Sequence, residues 1–129
     1  MSDLRPRGIP IMIGGVERRL LFTLNAIDAI QDKYDKTLSE VLDMMIDGTI
    51  GNHVMRDVLM ILLDDEAERI QYEHPEKEIP RANEKEIGWF IGLDNQYDVM
   101  ALLFKAYGIS VPEADEDDNP NQTSGQQNS

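Results

Sequence analysis

Hydrophobic residues near the N-terminus alternate with other residues, as they do in a β-strand. Ile9, Ile11 and Ile13 have this spacing, and two consecutive glycines follow them. The alternation predicts a strand, and the glycine pair supplies the positive φ angles that a tight hairpin turn requires. We therefore predict a hairpin over 9–23. Because a two-stranded hairpin leaves edge groups unpaired, Ile9, Ile11 and Ile13 are candidates for a self-association edge.

After residue 23 the apolar spacing changes from alternation to the three-to-four-residue interval of an α-helix. Five helices are predicted, the third being apolar almost all round in its first half, as a central core helix is. Their approximate bounds are 25–35, 37–48, 53–72, 83–92 and 95–107.

Capping residues support these helices. Thr23 or Asn25 can cap the first helix, and Thr37 with Glu40 has the spacing of a capping box at the second. Glycines, which favour the position just beyond a helix, are predicted to end two of the five helices. These are Gly48 after the second helix and Gly108 after the last.

The predicted fold class is α+β and mostly α, with an N-terminal β-hairpin followed by about four to five packed helices. A flexible N-terminus over 1–8 precedes a single domain over 9–111. Residues 112–129 are predicted to be a disordered acidic tail, because they carry five acidic residues, no basic residue and little apolar surface to bury.

Charge restricts the partners. The chain has a net charge of −13, which disfavours nucleic acid and anionic membrane surfaces, since both are bound by clustered Lys and Arg. Basic protein partners, cations and mimicry of nucleic acid remain open. No apolar run approaches the roughly 20 residues of a membrane span, and the N-terminus lacks an apolar signal segment. We expect a cytoplasmic protein.

Candidate catalytic chemistry is sparse. There is no cysteine, and His53 and His74 stand at opposite ends of one predicted helix, too far apart to share a metal ion. The acidic run Asp64-Asp65-Glu66 with Glu68 is interpreted as a solvated helix face, with a cation site as the alternative. We predict no catalytic, cofactor-binding or metal-binding residue, and no enzyme activity.

Four methionines cluster in the middle of the chain: Met44, Met45, Met55 and Met60. Flexible methionine side chains suit surfaces that bind varied partners, so these residues are the candidate partner-binding site. Core packing is the alternative interpretation, and the more common role of methionines at helical spacing.

Aromatic residues concentrate in the C-terminal third, where Trp89-Phe90 is followed by Tyr97, Phe104 and Tyr107. Base stacking on aromatic side chains is accompanied by basic grooves, and this region has few basic residues. Core packing is the simpler interpretation, and a groove for a protein partner is the alternative.

One segment is similar to a known family. The run RRLLFTLNAIDAIQDKYD at 18–35, followed by TLSEVL at 37–42, resembles the small tail assembly chaperones of tailed phages and phage-like elements. Those proteins open with a short β-element and continue into a helix with an Ala-Ile…Ile face. The resemblance covers 8–63 and, more loosely, 84–108, and it rests on apolar and capping residues.

The resemblance implies a function. Members of that family coat the long helical tape measure protein before the tail tube polymerises around it, and some copies carry a frameshifted extension that is thought to recruit tail tube protein. It implies tape measure and tail tube proteins as partners, and a location in the host cytoplasm but outside the mature virion. The free edge of the hairpin separately makes a homo-oligomer a candidate assembly. A tail at 113–129 would suit a tether to such an extension.

Two other functions compete with this one. A DNA-mimic inhibitor would spread carboxylates regularly over its folded surface, whereas here four acidic residues are concentrated in 115–118 and arginines stay in the domain. A small structural head–tail component would form rings and contain more β-structure than this pattern predicts.

Overall fold

The structure, a computed structural model, describes residues 7–110. They form an antiparallel hairpin followed by five helices, so the predicted fold class is confirmed. The predicted tail lies outside the described residues, as does most of the predicted flexible N-terminus. The elements are β1 Ile9–Ile13, β2 Val16–Leu20, α1 Leu24–Tyr34, α2 Leu38–Met44, α3 Gly51–Glu73, α4 Glu84–Phe90 and α5 Gln96–Ser110.

The hairpin turn uses both glycines. Gly14 and Gly15 have φ angles of 59° and 79°, the positive values at both central positions that a two-residue primed turn needs. Ile13 pairs with Val16 across this turn, and the register continues to Ile9 opposite Leu20. One face of the ribbon, including Ile11 and Leu20, packs into the core.

The two edges of the hairpin differ. The backbone N–H of Arg19 on β2 donates to the carboxylate of Glu66 on α3, at 3.0 Å, so this edge lies against α3. Pro10 pairs with Arg19. Since Arg19 points its N–H away from β1, Pro10 and Met12 point their backbone groups to the outer edge of β1. Pro10 has no N–H to offer there.

Helix caps agree with the sequence at the starts of α1 and α2. The Thr23 hydroxyl accepts the N–H of Ala26, and Thr37 and Glu40 form the predicted reciprocal capping box. The expected end of α2 at Gly48 is wrong, because α2 ends at Met44. After Met44 the backbone hydrogen bonds change to a three-residue spacing, as in the N–H of Asp47 that donates to the Met44 carbonyl at 3.1 Å, and the Asp47 carboxylate then accepts the N–H of Thr49 at 2.8 Å.

Helix α3 is the centre of the core, and every other helix contacts it or the elements packed on it. Its buried side chains, such as Val58 and Leu62, belong to one hydrophobic core with residues from both strands and all the other helices. Helix α5 runs to Ser110, past the predicted end at Gly108, since a glycine permits a helix end without enforcing one. No helix among the described residues has the length and apolarity needed to cross a membrane.

Candidate partner-binding groove

A groove of about 470 Å³ lies between the hairpin turn and α4. The turn forms one wall, α4 forms the opposite wall, and the segment 80–83 closes one end. Leu63 of α3 lies between the walls. The side chains that line the groove include Ile13, Val16, Arg18, Glu86, Trp89 and Phe90.

The hairpin wall is fixed by a buried ion pair. Arg18 donates from Nε to Glu66 of α3 at 2.6 Å and from its terminal nitrogen to the Leu63 carbonyl at 3.0 Å. Glu66 uses its second oxygen for the backbone N–H of Arg19. The Arg18 and Glu66 side chains are 10% and 6% exposed, so water screens the pair little. The contacts with α3 hold the strand and its turn in place.

The end of the groove is tied to the same helix. The N–H of Ala82 donates to the Asp64 carboxylate at 2.9 Å, and Arg81 reaches Glu68 at 2.8 Å. Asn83 then caps α4 by accepting the N–H groups of Lys85 and Glu86. Backbone and side-chain contacts from α3 therefore position both the 80–83 segment and the start of α4.

These contacts correct the interpretation of the acidic run as a solvated helix face. Glu66 is buried, Asp65 accepts the Thr23 hydroxyl at 2.6 Å, and Asp64 holds the 80–83 segment. Only Glu68 is exposed. The carboxylates point to three different neighbours, and residues 7–110 contain no group of three or more His, Asp or Glu side chains that could hold a metal ion.

The rim of the groove exposes apolar surface. Trp89 is 78% exposed and Val16 is 52% exposed, while Ile13 and Phe90 are partly buried against the core. Such large side chains side by side at a concave site are typical of protein-binding surfaces. The core-packing interpretation is wrong for Trp89, and also for Tyr97, which is 73% exposed. It holds in part for Phe104 and Tyr107, which are partly buried.

A helical projection of α4 could have identified Trp89. Ile87 is the buried residue of this helix, and Trp89 follows it by two positions, which places the two side chains on nearly opposite faces. Val16, Arg18 and Glu86 were not among the candidates. Glu86 lies on α4 three positions before Trp89, so its place beside Trp89 was visible in the sequence. Nothing in the local pattern links Val16 and Arg18 to α4, because the hairpin and α4 are joined through α3.

The methionines are not gathered on a surface. Met45 and Met55 are fully buried in the core, and Met44 and Met60 are partly buried against it. None of the four lines the groove. Their placement corresponds to core packing, the alternative interpretation, and a surface made by Met45 and Met55 is excluded by their burial.

The three isoleucines proposed for self-association also face inward. Ile11 is buried, and Ile9 and Ile13 pack against the core. The backbone groups that point to the outer edge of β1 belong to Pro10 and Met12 instead. The Met12 residue is also 58% exposed. Self-association itself stays a prediction, but its contacts would come from these two residues.

Comparison with family models, with curated protein sequences and with solved structures finds no match for this chain.

Proposed function

We propose that this protein is a tail assembly chaperone that binds the tape measure protein and keeps it from aggregating until the tail tube assembles around it. It acts by non-covalent binding and needs no catalytic residue or cofactor. Its place of action is the host cytoplasm, and it leaves before the virion is complete.

The observation that supports this proposal most is the groove beside Trp89. A chaperone of a long apolar helix needs an exposed apolar site on a body that resists aggregation. The groove supplies the first, since Trp89 and Val16 leave much of their apolar surface in water. The net charge of −13 supplies the second.

The partner's identity rests on the resemblance of residues 18–42 to the family of tail assembly chaperones. The described fold is compatible with it, because the β-element leads directly into α1 and α2 as that resemblance implies. Tail tube protein is proposed as a second partner on the same basis.

Co-expression with the neighbouring gene products tests the proposal. We expect a long, helix-rich tape measure protein to be insoluble alone, to become soluble with this chain, and to co-purify with it. Mass spectrometry identifies the partner, and the soluble fraction gives the chaperone effect.

A matched pair of variants connects this effect to the groove. Trp89→Ala should lower the soluble fraction, whereas Leu24→Ala, which also removes an exposed apolar side chain but lies outside the groove, should not. Solubility of the tape measure protein that does not depend on this chain would contradict the proposal. Recovery of a nuclease or polymerase in its place would favour a DNA mimic.

A further inference from the structure

The groove contains one unpaired charge, and it is negative. Both arginines that line the groove are already bound, Arg18 by Glu66 at 2.6 Å and Arg81 by Glu68 at 2.8 Å. Glu86 is exposed, and within residues 7–110 its carboxylate makes no ion pair or hydrogen bond, since only its backbone N–H is bound, by Asn83. A bound segment would therefore meet an apolar surface beside a free carboxylate.

Glu86 and Trp89 are three residues apart on α4, so they are neighbours on one face of that helix. A Lys or Arg side chain could lay its aliphatic stem along the indole and bring its charged end to the carboxylate. This pairing of an apolar rim with an acid favours an apolar partner segment that also carries a basic residue.

The backbone groups around the groove favour a helix over an extended strand. An extended segment needs a row of free N–H and C=O groups to pair with. Pro80 has no N–H, and that of Ala82 is donated to Asp64. Of the hairpin edges, one lies against α3, and the other, at Pro10 and Met12, does not line the groove. A helix satisfies its own backbone and needs only side-chain contacts.

We infer that the groove binds an amphipathic helix of the partner, with apolar residues packed on Trp89 and Val16 and a Lys or Arg paired with Glu86. The identification of that partner as the tape measure protein rests on the proposed function. The chemistry of the bound segment rests on the groove itself.

Synthetic peptides test this inference, and Trp89 reports the result because the chain has a single tryptophan. Three tryptophan-free probes are needed: a helical peptide with leucines on one face and lysines beside them, the same peptide with glutamates in place of lysines, and a shuffled lysine peptide without an apolar face. We expect the first to shift the emission to the blue and to bind about tenfold more tightly than either of the others.

Two variants with the same charge change separate the groove from the general charge of the protein. Glu86→Lys should weaken binding of the lysine peptide by about tenfold and strengthen binding of the glutamate peptide. Glu78→Lys alters an exposed acidic residue outside the groove and should change both affinities by less than about twofold, since salt screens distant surface charges.

Trp89→Ala should abolish binding of a fluorescein-labelled lysine peptide, and Leu24→Ala should retain it. Circular dichroism confirms that each variant folds.

Three outcomes would overturn the inference. Equal effects of Glu86→Lys and Glu78→Lys would show that only net charge attracts the peptide. Equal binding of the shuffled peptide would exclude recognition of a helix face. A blue shift that depends on protein concentration alone, with a dimer in sedimentation, would show that a second copy fills the groove.

The two proposals fail separately. If the tape measure protein is made soluble but the Glu86 and Trp89 variants behave like their controls, the groove inference is overturned and the proposed function stands. If the peptides bind as expected and the tape measure protein is not bound, the proposed function is overturned, and the inference that the groove binds a basic amphipathic helix stands.

Discussion

Single residues join segments that are distant in the sequence. Glu66 is the clearest case, because one carboxylate binds both the Arg18 side chain and the Arg19 backbone, nearly 50 residues away. Tyr34 similarly joins α1 to α3 through a hydrogen bond from its hydroxyl to Asp57. Each contact can be tested by changing one side chain.

Replacing Glu66 by leucine should lower the free energy of unfolding by about 3–5 kcal/mol, because Arg18 is left charged and unpaired where water reaches it poorly. Glu68→Leu, two residues along the same helix, removes an exposed ion pair with Arg81 and should cost less than about 1 kcal/mol. Urea denaturation of both variants measures the difference. Similar losses would mean that the buried pair contributes no more than an exposed one.

Tyr34 should ionise at higher pH than an ordinary tyrosine. Burial raises the pKa of its hydroxyl, and the hydrogen bond and negative charge of Asp57 raise the pKa further. Folding therefore favours the neutral phenol. The resulting stability is fully present below the unfolded pKa of about 10 and is lost as the pH rises through the higher pKa of the folded state.

Ultraviolet titration of the wild type minus that of Tyr34→Phe isolates this ionisation from the other three tyrosines. The difference curve should rise above about pH 10, and in Asp57→Asn it should move to lower pH because the negative charge is gone. A midpoint at the ordinary value would show that the hydroxyl is free in solution.

At the scale of elements, the spacing of apolar residues predicted the hairpin and five helices, and the capping residues predicted the starts of α1 and α2. These signals act between residues a few positions apart, and so they are visible in the sequence. Helix ends were less predictable where competing groups decide them. Backbone turns of three-residue spacing follow α2 from Met45, before Gly48 is reached, and α5 continues past Gly108.

The groove could not be predicted as a unit. Its two walls, one around Val16 and the other around Trp89, are joined through α3, and no local pattern connects them. The buried role of Glu66 was hidden for the same reason, since an acidic residue next to Asp64 and Asp65 has the pattern of a solvated face. A pairing with Arg18 becomes visible only once the hairpin is placed on α3.

The connection from α2 to α3 depends on a glycine. A β-carbon at Gly51 would collide with the backbone carbonyl of Met45, which belongs to a core residue and cannot move freely. We expect Gly51→Ala to lower the free energy of unfolding by about 1–3 kcal/mol. Gly48→Ala, in the same connection but with open space around it, should change it by less than about 0.5 kcal/mol. Thermal and urea denaturation of the two variants provide the comparison.

For the whole molecule, the excess of acidic side chains sets both solubility and stability. With a net charge of −13, the acidic side chains of one chain repel one another, and separate copies of the chain also repel each other. This repulsion opposes compaction, so the fold must overcome it with its core around α3. Salt weakens the repulsion without touching that core.

We therefore expect the thermal midpoint to rise as sodium chloride increases from about 0.01 to about 0.1 M, over which the screening length falls from about 30 to about 10 Å. Sucrose at the same concentrations should leave the midpoint nearly unchanged, since it does not screen charge. A midpoint that falls with salt would indicate that attractive ion pairs outweigh the repulsion.

The two segments that form the walls of the groove are synthesised at different times during translation. The ribosome makes the hairpin turn at 14–15 about 70 residues before α4 at 84–90, and α3 must fold between them before the site exists. A nascent or unfolded chain therefore has no groove for the proposed helical partner. On this proposal only folded molecules bind the partner, and binding in turn favours the folded state by mass action.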